Sequence, residues 1–479
     1  MRQNSIYRTN GAQTAPPSAG AIHSLMEAVG NCTERIKGEP YNPRLWAERA
    51  SHFLALNYPE LAVGDAYKAR ILLQRAPHSM EENNRKARFQ TYEVLGQALY
   101  DCHCHWEAVE FWEEVAEEFP DSYARDKVVA LRRLLESKEG VAAPLGGTWQ
   151  EQKDRIRDGG VITVNNPWMQ DNHIRRTQDL VDDVNKKLKQ DAQQPTTCCL
   201  GSSTLADRDD MLGIFAARDI QPNECIHVDR TATAICTSLG ALDCLNCFAH
   251  VRGLPVRASC CSAVYCSTAC LELSMNTHHK VLCGQDFAWL VQPAKGLQHN
   301  ASSLRPLLML RFLAACIQSG PDSHPLDHSL LARLQPLTSN DHVDVFTMTE
   351  SVIIPLKILQ QLDIDIFANL NFDTMVLQTI WTRLANNKAG SPDPERGFID
   401  EITPLLPFFN HSCEPSLDFK RDNDSTTIRF FARRGIKKGE EMYISYAKVQ
   451  NMPLEERTEI LWPWFESLCL CKRCKREAT

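Results

Sequence analysis

Two stretches near the C-terminal end decide how this chain is interpreted: Asn410–Pro415, with sequence NHSCEP, and Gly439–Tyr446, with sequence GEEMYISY. They lie among short segments rich in β-branched and aromatic residues, SLDFKR, TTIRFFARRGI and EMYISY, that predict β-strands. A strand-like texture also begins at GIFAARDI, residues 213–220, whereas residues 304–385 have helical spacing. The sequence therefore predicts a β-rich region that is interrupted by other segments.

Residues 236–283 hold a block of cysteines at spacings typical of zinc ligands. Zinc takes four thiolate or imidazole ligands in a tetrahedron, and closely spaced pairs can hold one ion from a tight turn. The block suits two interleaved sites and contains Cys244, Cys247, Cys260, Cys261, Cys266, Cys270, His278, His279 and Cys283. Buried thiols without metal are the less favoured alternative, because the pairs recur at ligand spacing.

Composition limits the class of protein. The 479 residues suggest about three folded units, and 43% hydrophobic with 23% charged residues is ordinary for a globular chain, which excludes disorder throughout. A formal charge of −8 argues against a whole-protein nucleic-acid binder. We expect no signal peptide and no transmembrane helix, since residues 1–20 are polar and long apolar runs are lacking. The 19 cysteines then serve as thiols or metal ligands rather than disulfides.

Four segments in order carry a resemblance to one family. Asn410–Pro415 resembles the Asn-His-Ser-Cys-x-Pro signature of SET-domain protein methyltransferases, and Gly439–Tyr446 resembles the segment that ends in their catalytic tyrosine. GIFAARDI resembles their opening strand, and the tail Cys469-x-Cys471-x2-Cys474 resembles their post-SET cysteines. The cysteine block resembles a MYND-type zinc finger. A SET domain split by such a finger resembles the SMYD family, over roughly residues 205–479.

The resemblance implies an S-adenosylmethionine site and a catalytic tyrosine, Tyr446. Asn410, His411 and the backbone at Gly213 would contact the cofactor together with Tyr446. An upstream asparagine also contacts it in the family, and Asn386 is the best match, with Asn387 a close rival. The alternative for both is a helix C-terminal cap.

The reaction itself gives these assignments a reason. Methyl transfer from a sulfonium needs a neutral amine, whereas the pKa of a free lysine is about 10.4. A narrow apolar channel and the sulfonium charge both disfavour the ammonium form. A tyrosine hydroxyl can then orient the amine, and alignment supplies much of the rate. The alternative for a tyrosine here is a half-buried strand aromatic, a role that better suits Tyr443.

The resemblance also implies two to three zinc ions. One would be held by Cys244, Cys247, Cys266 and Cys270, and another by Cys413, Cys469, Cys471 and Cys474. Cys260, His279 and Cys283 would hold a further ion, but Arg257 stands where the family's fourth ligand belongs, and a guanidinium does not ligate zinc. Cys261, His278 or His250 could replace it.

Two further departures affect the cofactor site. Met211 occupies the first position of the family's Gly-x-Gly turn, and Ser416 replaces the asparagine that follows the motif's proline. Both favour weaker cofactor binding and lower activity.

The sequence predicts helices in the N-terminal part of the chain, residues 41–140. Residues 44–73 and 91–122 each show large and small residues at helical spacing, with turns expected at Asn57–Pro59 and near Cys102–His105. The two units resemble tetratricopeptide repeats. A plain helical bundle is the alternative.

The predicted fold class is α+β: a β-rich SET core with an inserted MYND zinc finger and a helical insert, preceded by an α-helical repeat region. The predicted segments are a disordered N-terminus (1–40), a helical repeat-like region (41–140), a connector (141–204), the first part of the SET domain (205–235), the finger (236–290), the helical insert (291–375), the catalytic part of the SET domain (376–450) and the post-SET segment (451–479).

The predicted function is S-adenosylmethionine-dependent methylation of lysine in proteins. The alternative is a non-catalytic adaptor, in which the repeats and the finger bind peptides and the SET core is vestigial. Expected partners are a protein substrate and peptides, with neither a membrane nor nucleic acid. A cytoplasmic location, with possible nuclear access, is expected because no basic localisation cluster is evident.

Overall fold

The computed structural model describes residues 19–75, 81–136, 159–162, 166–190, 196–205, 211–237, 240, 242–290, 304–321, 323–336, 343–393, 397–421, 427–465 and 468–478. The chain divides into two compact units. The first comprises Met1–Trp168 with Ser339–Thr382, and the second comprises Met169–Thr338 with Arg383–Thr479. No helix within the described ranges is both long enough and apolar enough to cross a bilayer.

The elements follow one another along the chain as two series. The helices are α1 (Ala19–Gly38), α2 (Pro43–Ala55), α3 (Pro59–Arg75), α4 (Glu81–Asp101), α5 (His105–Glu118), α6 (Ala124–Glu136), α7 (Asp171–Ile174), α8 (Gln178–Gln190), α9 (Thr268–Thr277), α10 (His279–Leu282), α11 (Arg305–Gln318), α12 (Ser329–Arg333), α13 (Ile354–Gln361), α14 (Thr374–Asn387), α15 (Leu454–Phe465) and α16 (Lys472–Glu477). The strands are β1 (Gly160–Ile162), β2 (Cys198–Ser202), β3 (Leu212–Ala216), β4 (Cys225–Arg230), β5 (Thr233–Cys236), β6 (Val256–Arg257), β7 (Val264–Tyr265), β8 (Val343–Val345), β9 (Ala389–Asp393), β10 (Gly397–Ile402), β11 (Asn410–His411), β12 (Leu417–Arg421), β13 (Thr427–Ala432) and β14 (Glu441–Ile444).

Helix pairs build most of the first unit. Asn57 and His103 adopt left-handed backbone conformations, with φ of 63° and 56°, in the turns between α2 and α3 and between α4 and α5. A Cβ atom at Gly96 of α4 would stand only 2.4 Å from the Trp112 indole of α5, so the large residue packs directly on the missing side chain. The alternation of large and small residues in the sequence reflects this close packing.

The prediction that residues 1–40 are disordered is wrong for Ala19–Gly38, which form α1. Val29, Cys32 and Ile36 recur at helical spacing and are buried along one face of α1. The polar composition of the preceding residues, which lie outside the described ranges, concealed this short apolar stripe. Packing of that stripe on neighbouring helices, rather than local propensity, stabilises α1.

A buried ionic cluster connects the two segments of the first unit. The Arg49 guanidinium donates to both Asp65 oxygens, at 2.6 and 3.0 Å, and to Asp373 Oδ1 at 2.8 Å, and all three side chains are almost fully buried. Residues 339–375 therefore belong with the N-terminal helices, although the sequence analysis assigned them to a helical insert. Deleting residues 1–140 would remove both the cation that pairs with Asp373 and the helices that pack around it, so the remaining segment of the first unit would lose its packing partners.

The second unit holds the sheets of the region in which the sequence predicts a SET core. A four-stranded sheet has the order β11-β14-β3-β2, and two three-stranded sheets have the orders β12-β13-β4 and β5-β10-β9. β11 runs parallel to β14, which pairs Asn410 with Tyr443 and His411 with Ile444. β14 in turn runs antiparallel to β3. Three motifs that are far apart in the sequence thus become neighbours.

The predicted connector contributes to the core of this unit. Val181, Val184 and Leu188 of α8 are buried in one apolar cluster with residues of β2, β3, β12, β13 and β14. β2 itself, within the same predicted connector, pairs with β3 over five residues. Residues 178–190 and 198–202 are therefore part of the β-rich core, because three apolar side chains at helical spacing cover the face of the sheet.

Candidate functional site

Tyr446 follows β14 and lies in an aromatic environment. Its hydroxyl donates to the Phe409 carbonyl oxygen at 3.0 Å, and its backbone N–H donates to His411 Nδ1 at 3.0 Å. The ring stacks on Phe465, with centroids 6.0 Å apart, and Trp464 lies at 6.2 Å. Burial raises the pKa of Tyr446 to about 12, so the phenol stays protonated at neutral pH.

Asn410 and Gly213 meet around the carboxylate of Glu441. Asn410 Nδ2 donates to Glu441 Oε1 at 2.9 Å, to the Leu212 carbonyl at 2.9 Å and to Ser203 Oγ at 3.1 Å. A Cβ atom at Gly213 would stand 2.3 Å from Glu441 Oε1. Glycine is required here because the carboxylate passes so close to the strand backbone.

Glu441 is a central hydrogen-bond acceptor of the candidate site, and the sequence motifs did not point to it. In addition to the Asn410 amide, it accepts hydrogen bonds from Ser203 Oγ at 2.7 Å, from the Thr204 N–H and hydroxyl, each at 2.9 Å, and from the Tyr443 hydroxyl at 2.9 Å. Burial raises the pKa of Glu441, but these hydrogen bonds outweigh burial and hold the pKa below its ordinary value. The second glutamate of the Gly-Glu-Glu segment was the available sequence signal.

His411 is occupied by protein contacts. Its Nδ1 accepts the Tyr446 N–H, and its Nε2 lies 3.4 Å from Cys413 Sγ. Burial lowers the pKa of His411 to about 4, so the imidazole is neutral at pH 7. The side chain thus fixes the backbone of Tyr446 beside the thiol cluster, and the contact of His411 with a cofactor stays a prediction.

The two upstream asparagines differ in environment. Asn386 is exposed near the end of α14, whereas Asn387 is buried. Asn387 Oδ1 accepts the Gln335 N–H at 2.7 Å, and its Nδ2 donates to the Gln335 and Arg383 carbonyls at 3.0 and 2.9 Å. The Asn387 amide is thus engaged by backbone groups, and the assignment of Asn386 to the cofactor stays a prediction.

The two departures from the family pattern have structural counterparts. The Ser416 hydroxyl is buried and accepts the Tyr443 N–H at 2.9 Å, which ties the start of β12 to β14. The Met211 carbonyl accepts the Ser203 N–H at 2.7 Å and extends the pairing of β2 with β3. Both residues therefore hold strands of the site together.

Four thiols converge beside Tyr446. Cys413, which follows β11, and Cys469, Cys471 and Cys474 of the tail are all buried, and their sulfur atoms lie within 4.8 Å of one another. The Cys413 and Cys474 sulfurs are 3.5 Å apart. Four thiolates are the donor set of a closed structural zinc site. Tyr446 packs on the same cluster, so a metal here would hold the tail against Tyr446.

The first finger cluster comprises Cys244, Cys247, Cys266 and Cys270, with all four sulfurs within 4.8 Å of one another. Cys266 Sγ lies 3.5 Å from both Cys247 Sγ and Cys270 Sγ. The buried Arg311 side chain donates to the carbonyls of Leu245 and Asn246, and thereby braces the turn that carries the first cysteine pair. This donor set also fits zinc.

The second finger cluster contains Cys260, Cys261, His279 and Cys283. His279 Nε2 lies 3.3 Å from Cys260 Sγ and 3.5 Å from Cys261 Sγ. Of the three substitutes for the ligand missing at Arg257, the structure brings Cys261 into the cluster. His279 Nδ1 lies 3.1 Å from the Tyr265 hydroxyl, a second contact of the kind that orients metal-bound histidines.

We predict that Cys261→Ser releases one zinc ion and leaves methyl transfer largely unchanged. The reason is that Cys261 completes a four-donor set in the finger, whereas the thiol cluster beside Tyr446 is separate from it. Elemental analysis and a transfer assay of the purified variant check this, with Cys199→Ser of β2 as the control that keeps the full metal content. Unchanged zinc in Cys261→Ser would contradict the assignment.

Arg176 is a second residue that the sequence did not reveal, since it lies in no motif. Its guanidinium donates to the Arg333 carbonyl at 2.8 Å, to the Gln335 side chain and to the Pro407 carbonyl at 3.2 Å. It also lies 4.5 Å from the centre of the Phe408 ring. Arg176 therefore braces the segment that immediately precedes Phe409, whose carbonyl accepts the Tyr446 hydroxyl.

Asp229 of β4 holds the other end of that segment. Its Oδ2 accepts the N–H groups of Leu405 and Leu406, both at 2.9 Å, at the start of a single 3₁₀ turn, Leu406–Phe408. Burial raises the pKa of Asp229 to about 6, and the hydrogen bonds offset only part of this effect. The protonation state of the Asp229 carboxyl thus affects the hydrogen bonds that hold the loop leading to Asn410.

We predict that Asp229 makes the protein more stable as the pH falls from about 6 to about 4. A buried acid with a raised pKa binds its proton in the folded state before the unfolded chain does, so the free energy of unfolding rises between about pH 6 and pH 4. The difference from the ordinary value of 3.8 amounts to about 3 kcal/mol. Urea unfolding at pH 5 and pH 7 checks this against Asp229→Asn, which should lose that share of the pH dependence. Identical pH profiles would contradict the prediction.

The comparisons with known proteins agree with this geometry. The family model described as "SET domain" matches residues 211–447. The chain is 39% identical over 77 residues, 16% of its length, to the histone-lysine N-methyltransferase SET5 of Eremothecium gossypii, of which it covers 15%. It is 38% identical over 77 residues to the potential protein lysine methyltransferase SET6 of Saccharomyces cerevisiae, covering 16% of this chain and 20% of that protein.

A SET and MYND domain-containing protein of Dictyostelium discoideum is 34% identical over 67 residues, 14% of this chain and 13% of that protein. The chain thus spans a fifth or less of the length of these relatives. A solved structure of the SET domain of LSMT bound to lysine and AdoHcy shares 13% identity, with a TM-score of 0.28, over 60% of this chain and 57% of that one. The family match and the juxtaposed motifs establish that residues 211–447 of this chain are a SET domain.

Proposed function

We propose that this protein transfers methyl groups from S-adenosylmethionine to lysine side chains of proteins. The observation that carries the proposal is the convergence of Asn410, His411 and Tyr446 on one edge of a single sheet, beside a four-thiol cluster. Similarity to named lysine methyltransferases over short stretches supports the same reaction class.

Asn410 fits a cationic cofactor. The Asn410 amide orientation is fixed, because Nδ2 faces a carboxylate and a carbonyl, which only accept hydrogen bonds. Its Oδ1 accepts no hydrogen bond from the described residues, so it is available to an ammonium group. The carboxylate of Glu441 lies directly behind the amide and favours positive charge nearby. S-adenosylmethionine, when bound, supplies an activated methyl group next to its positively charged sulfur.

Tyr446 would orient the acceptor amine. Because its hydroxyl proton is given to the Phe409 carbonyl, the phenol oxygen keeps lone pairs that can accept an amine N–H. With a pKa of about 12 the phenol is a poor general base at neutral pH, so the lysine proton must leave to solvent. The rings of Phe465 and Trp464 would exclude water and lower the pKa of a lysine bound among them.

The thiol clusters would hold zinc, and we propose three ions, one in each four-donor cluster. In the tail, the metal would close the segment of α15 and α16 over Tyr446. Arg457 supports this cluster, because its buried guanidinium lies 3.5 Å from Cys474 Sγ and also donates to the Met452 carbonyl at 2.7 Å. A cation next to metal-bound thiolates offsets their negative charge.

The alternative is a peptide-binding adaptor with a vestigial SET core. A cleft of about 350 Å³ in the helical unit favours it, lined by Arg85, Lys86, Phe89, Phe119, Asp121 and Ser122. Its basic and aromatic lining suits an acidic peptide. In the methyltransferase this cleft would serve substrate or partner binding by the repeat-like region, and a cytoplasmic location with nuclear access remains our proposal.

Calorimetric titration with S-adenosylmethionine tests the function. We expect one binding event in the intact protein, loss of binding in Asn410→Ala, and radiolabel transfer from the cofactor to lysines of a mixed protein pool. Asn386→Ala then tests the predicted second asparagine, with the buried Asn387 left intact. An intact protein that produces no heat and transfers no label would favour the adaptor.

A further inference from the structure

Helices α1 and α2 of the first unit bring together a thiol, a carboxylate and an imidazole. One ligand atom each from Cys32, Glu48 and His52 lies within 4.8 Å of the other two. Glu48 and His52 are four residues apart and therefore share a face of α2, and Cys32 meets them from α1. The Arg49 guanidinium donates to Thr33 Oγ1 at 3.0 Å and fixes the two helices against each other.

The donor atoms of this cluster are available. The His52 imidazole and the Cys32 thiol make no hydrogen bond to any residue in the described ranges. The cluster of His173, His324 and Asp327 in the second unit differs, because one ring nitrogen of each histidine already has a hydrogen-bond partner. His173 Nε2 lies 2.7 Å from Asp327 Oδ1, and His324 Nδ1 accepts a backbone N–H at 3.2 Å.

The position of the cluster allows an ion to enter. Cys32 is only 2% exposed, but the Glu48 side chain is 45% exposed and His52 is half-buried. The Arg35 guanidinium lies 3.0 Å from Glu48 Oε2 and is 58% exposed, so it can hold this carboxylate or move into solvent without a burial cost. The thiol therefore lies on the buried side of the cluster, and the carboxylate lies on its solvent-exposed side.

We infer that Cys32, Glu48 and His52 bind one divalent cation of the zinc class, with water completing the coordination. Thiolate, imidazole and carboxylate are the three side-chain ligands that zinc takes, and three protein ligands plus water is the arrangement of an open site. As the sulfur–metal bond forms, the thiol proton passes to solvent. The charge of the divalent cation then offsets the negative charges of the buried thiolate and of the carboxylate.

Without a cation, burial and the Glu48 charge raise the pKa of Cys32 to about 11, so the thiol is protonated and unreactive. A bound ion would clamp α1 to α2 and thereby stabilise the start of the helical unit. With three protein ligands rather than four, it exchanges more readily than ions in the four-donor clusters, which makes the site responsive to zinc concentration.

Titration of the full-length protein with Zn²⁺ tests this inference. The protein is purified with its thiol clusters loaded and is passed through metal-free buffer before calorimetry. We expect one further ion to bind to the intact protein, no such ion in Cys32→Ser or His52→Gln, and at least about tenfold weaker binding in Glu48→Gln. The matched control is His23→Gln, because His23 and Glu27 form an exposed pair at the same spacing on α1 without a thiol.

Cobalt provides a second readout that does not depend on stability. Co²⁺ added to the zinc-loaded protein should give a thiolate-to-cobalt absorption band, which Cys32→Ser lacks and His23→Gln retains. Circular dichroism melting establishes that each variant is folded, and the solvent-accessible His52→Gln carries the comparison if Cys32→Ser is unstable. No further ion in the intact protein, or equal binding in His52→Gln, would overturn the inference.

Discussion

Tyr446→Phe is expected to lower the rate of methyl transfer by about 10²-fold or more while leaving S-adenosylmethionine binding intact. Loss of a single positioned catalytic hydroxyl has an effect of this order. The substitution removes the hydroxyl that donates to the Phe409 carbonyl, and the ring contact with Phe465 remains. Radiolabel transfer to a protein pool measures the rate, and calorimetry measures the binding.

Tyr443→Phe is the matched control for this experiment. Tyr443 lies on β14, three residues before Tyr446, but its hydroxyl donates to Glu441 at 2.9 Å rather than to the Phe409 carbonyl. We therefore expect a much smaller loss of transfer from Tyr443→Phe than from Tyr446→Phe. Equal transfer by Tyr446→Phe and the unsubstituted protein would show that Tyr446 is only a packing residue.

Cys471→Ser is expected to release one zinc ion and to reduce methyl transfer below detection. Cys471 belongs to the buried four-thiol cluster with Cys413, and the same apolar cluster contains Val449 and Leu461. Because metal binding is coupled to folding of the segment that it joins, loss of one ligand frees the tail from the site. Tyr446 then loses the wall formed by Phe465.

Elemental analysis, transfer assays and thermal melting of Cys471→Ser decide this prediction. Cys225→Ser serves as the control, since Cys225 is exposed in β4 and belongs to none of the thiol clusters of the described residues. The control should keep both its metal content and its activity. Full activity of Cys471→Ser without its zinc would separate the metal from the catalytic arrangement.

Much of the site could be predicted from the sequence because motif residues act through short-range geometry. The cysteine spacings predicted two sites in residues 236–283, the family resemblance implied a third at the tail, and the structure gathers the thiols of all three. The adjacent strands β11 and β14 then bring Asn410 and His411 next to Tyr446, which follows β14. Ligands that depend on contacts across the fold were harder to predict. The family pattern expects a ligand at position 257, where Arg257 stands, and only the structure shows that Cys261 joins the cluster instead.

Several contributions could not be predicted because they come from segments without a motif. Arg176 donates to the Pro407 carbonyl from a position 231 residues earlier in the chain. Asp229 holds Leu405 and Leu406 from a strand that carries no signature. Glu441 was visible within its motif, but only the folded sheet reveals that it collects hydrogen bonds from Asn410 and Ser203.

By itself the sequence determined the SET signature, the cysteine clusters and the helical character of the N-terminal part, because these depend on residue type and on spacing along the chain. The tertiary structure decided which asparagine is buried, which thiol completes the finger and which segments belong to each compact unit. It also placed Cys32 of α1 against His52 of α2. Those features depend on packing between residues far apart in the chain, where burial and hydrogen-bond geometry select among side chains that local pattern leaves equivalent.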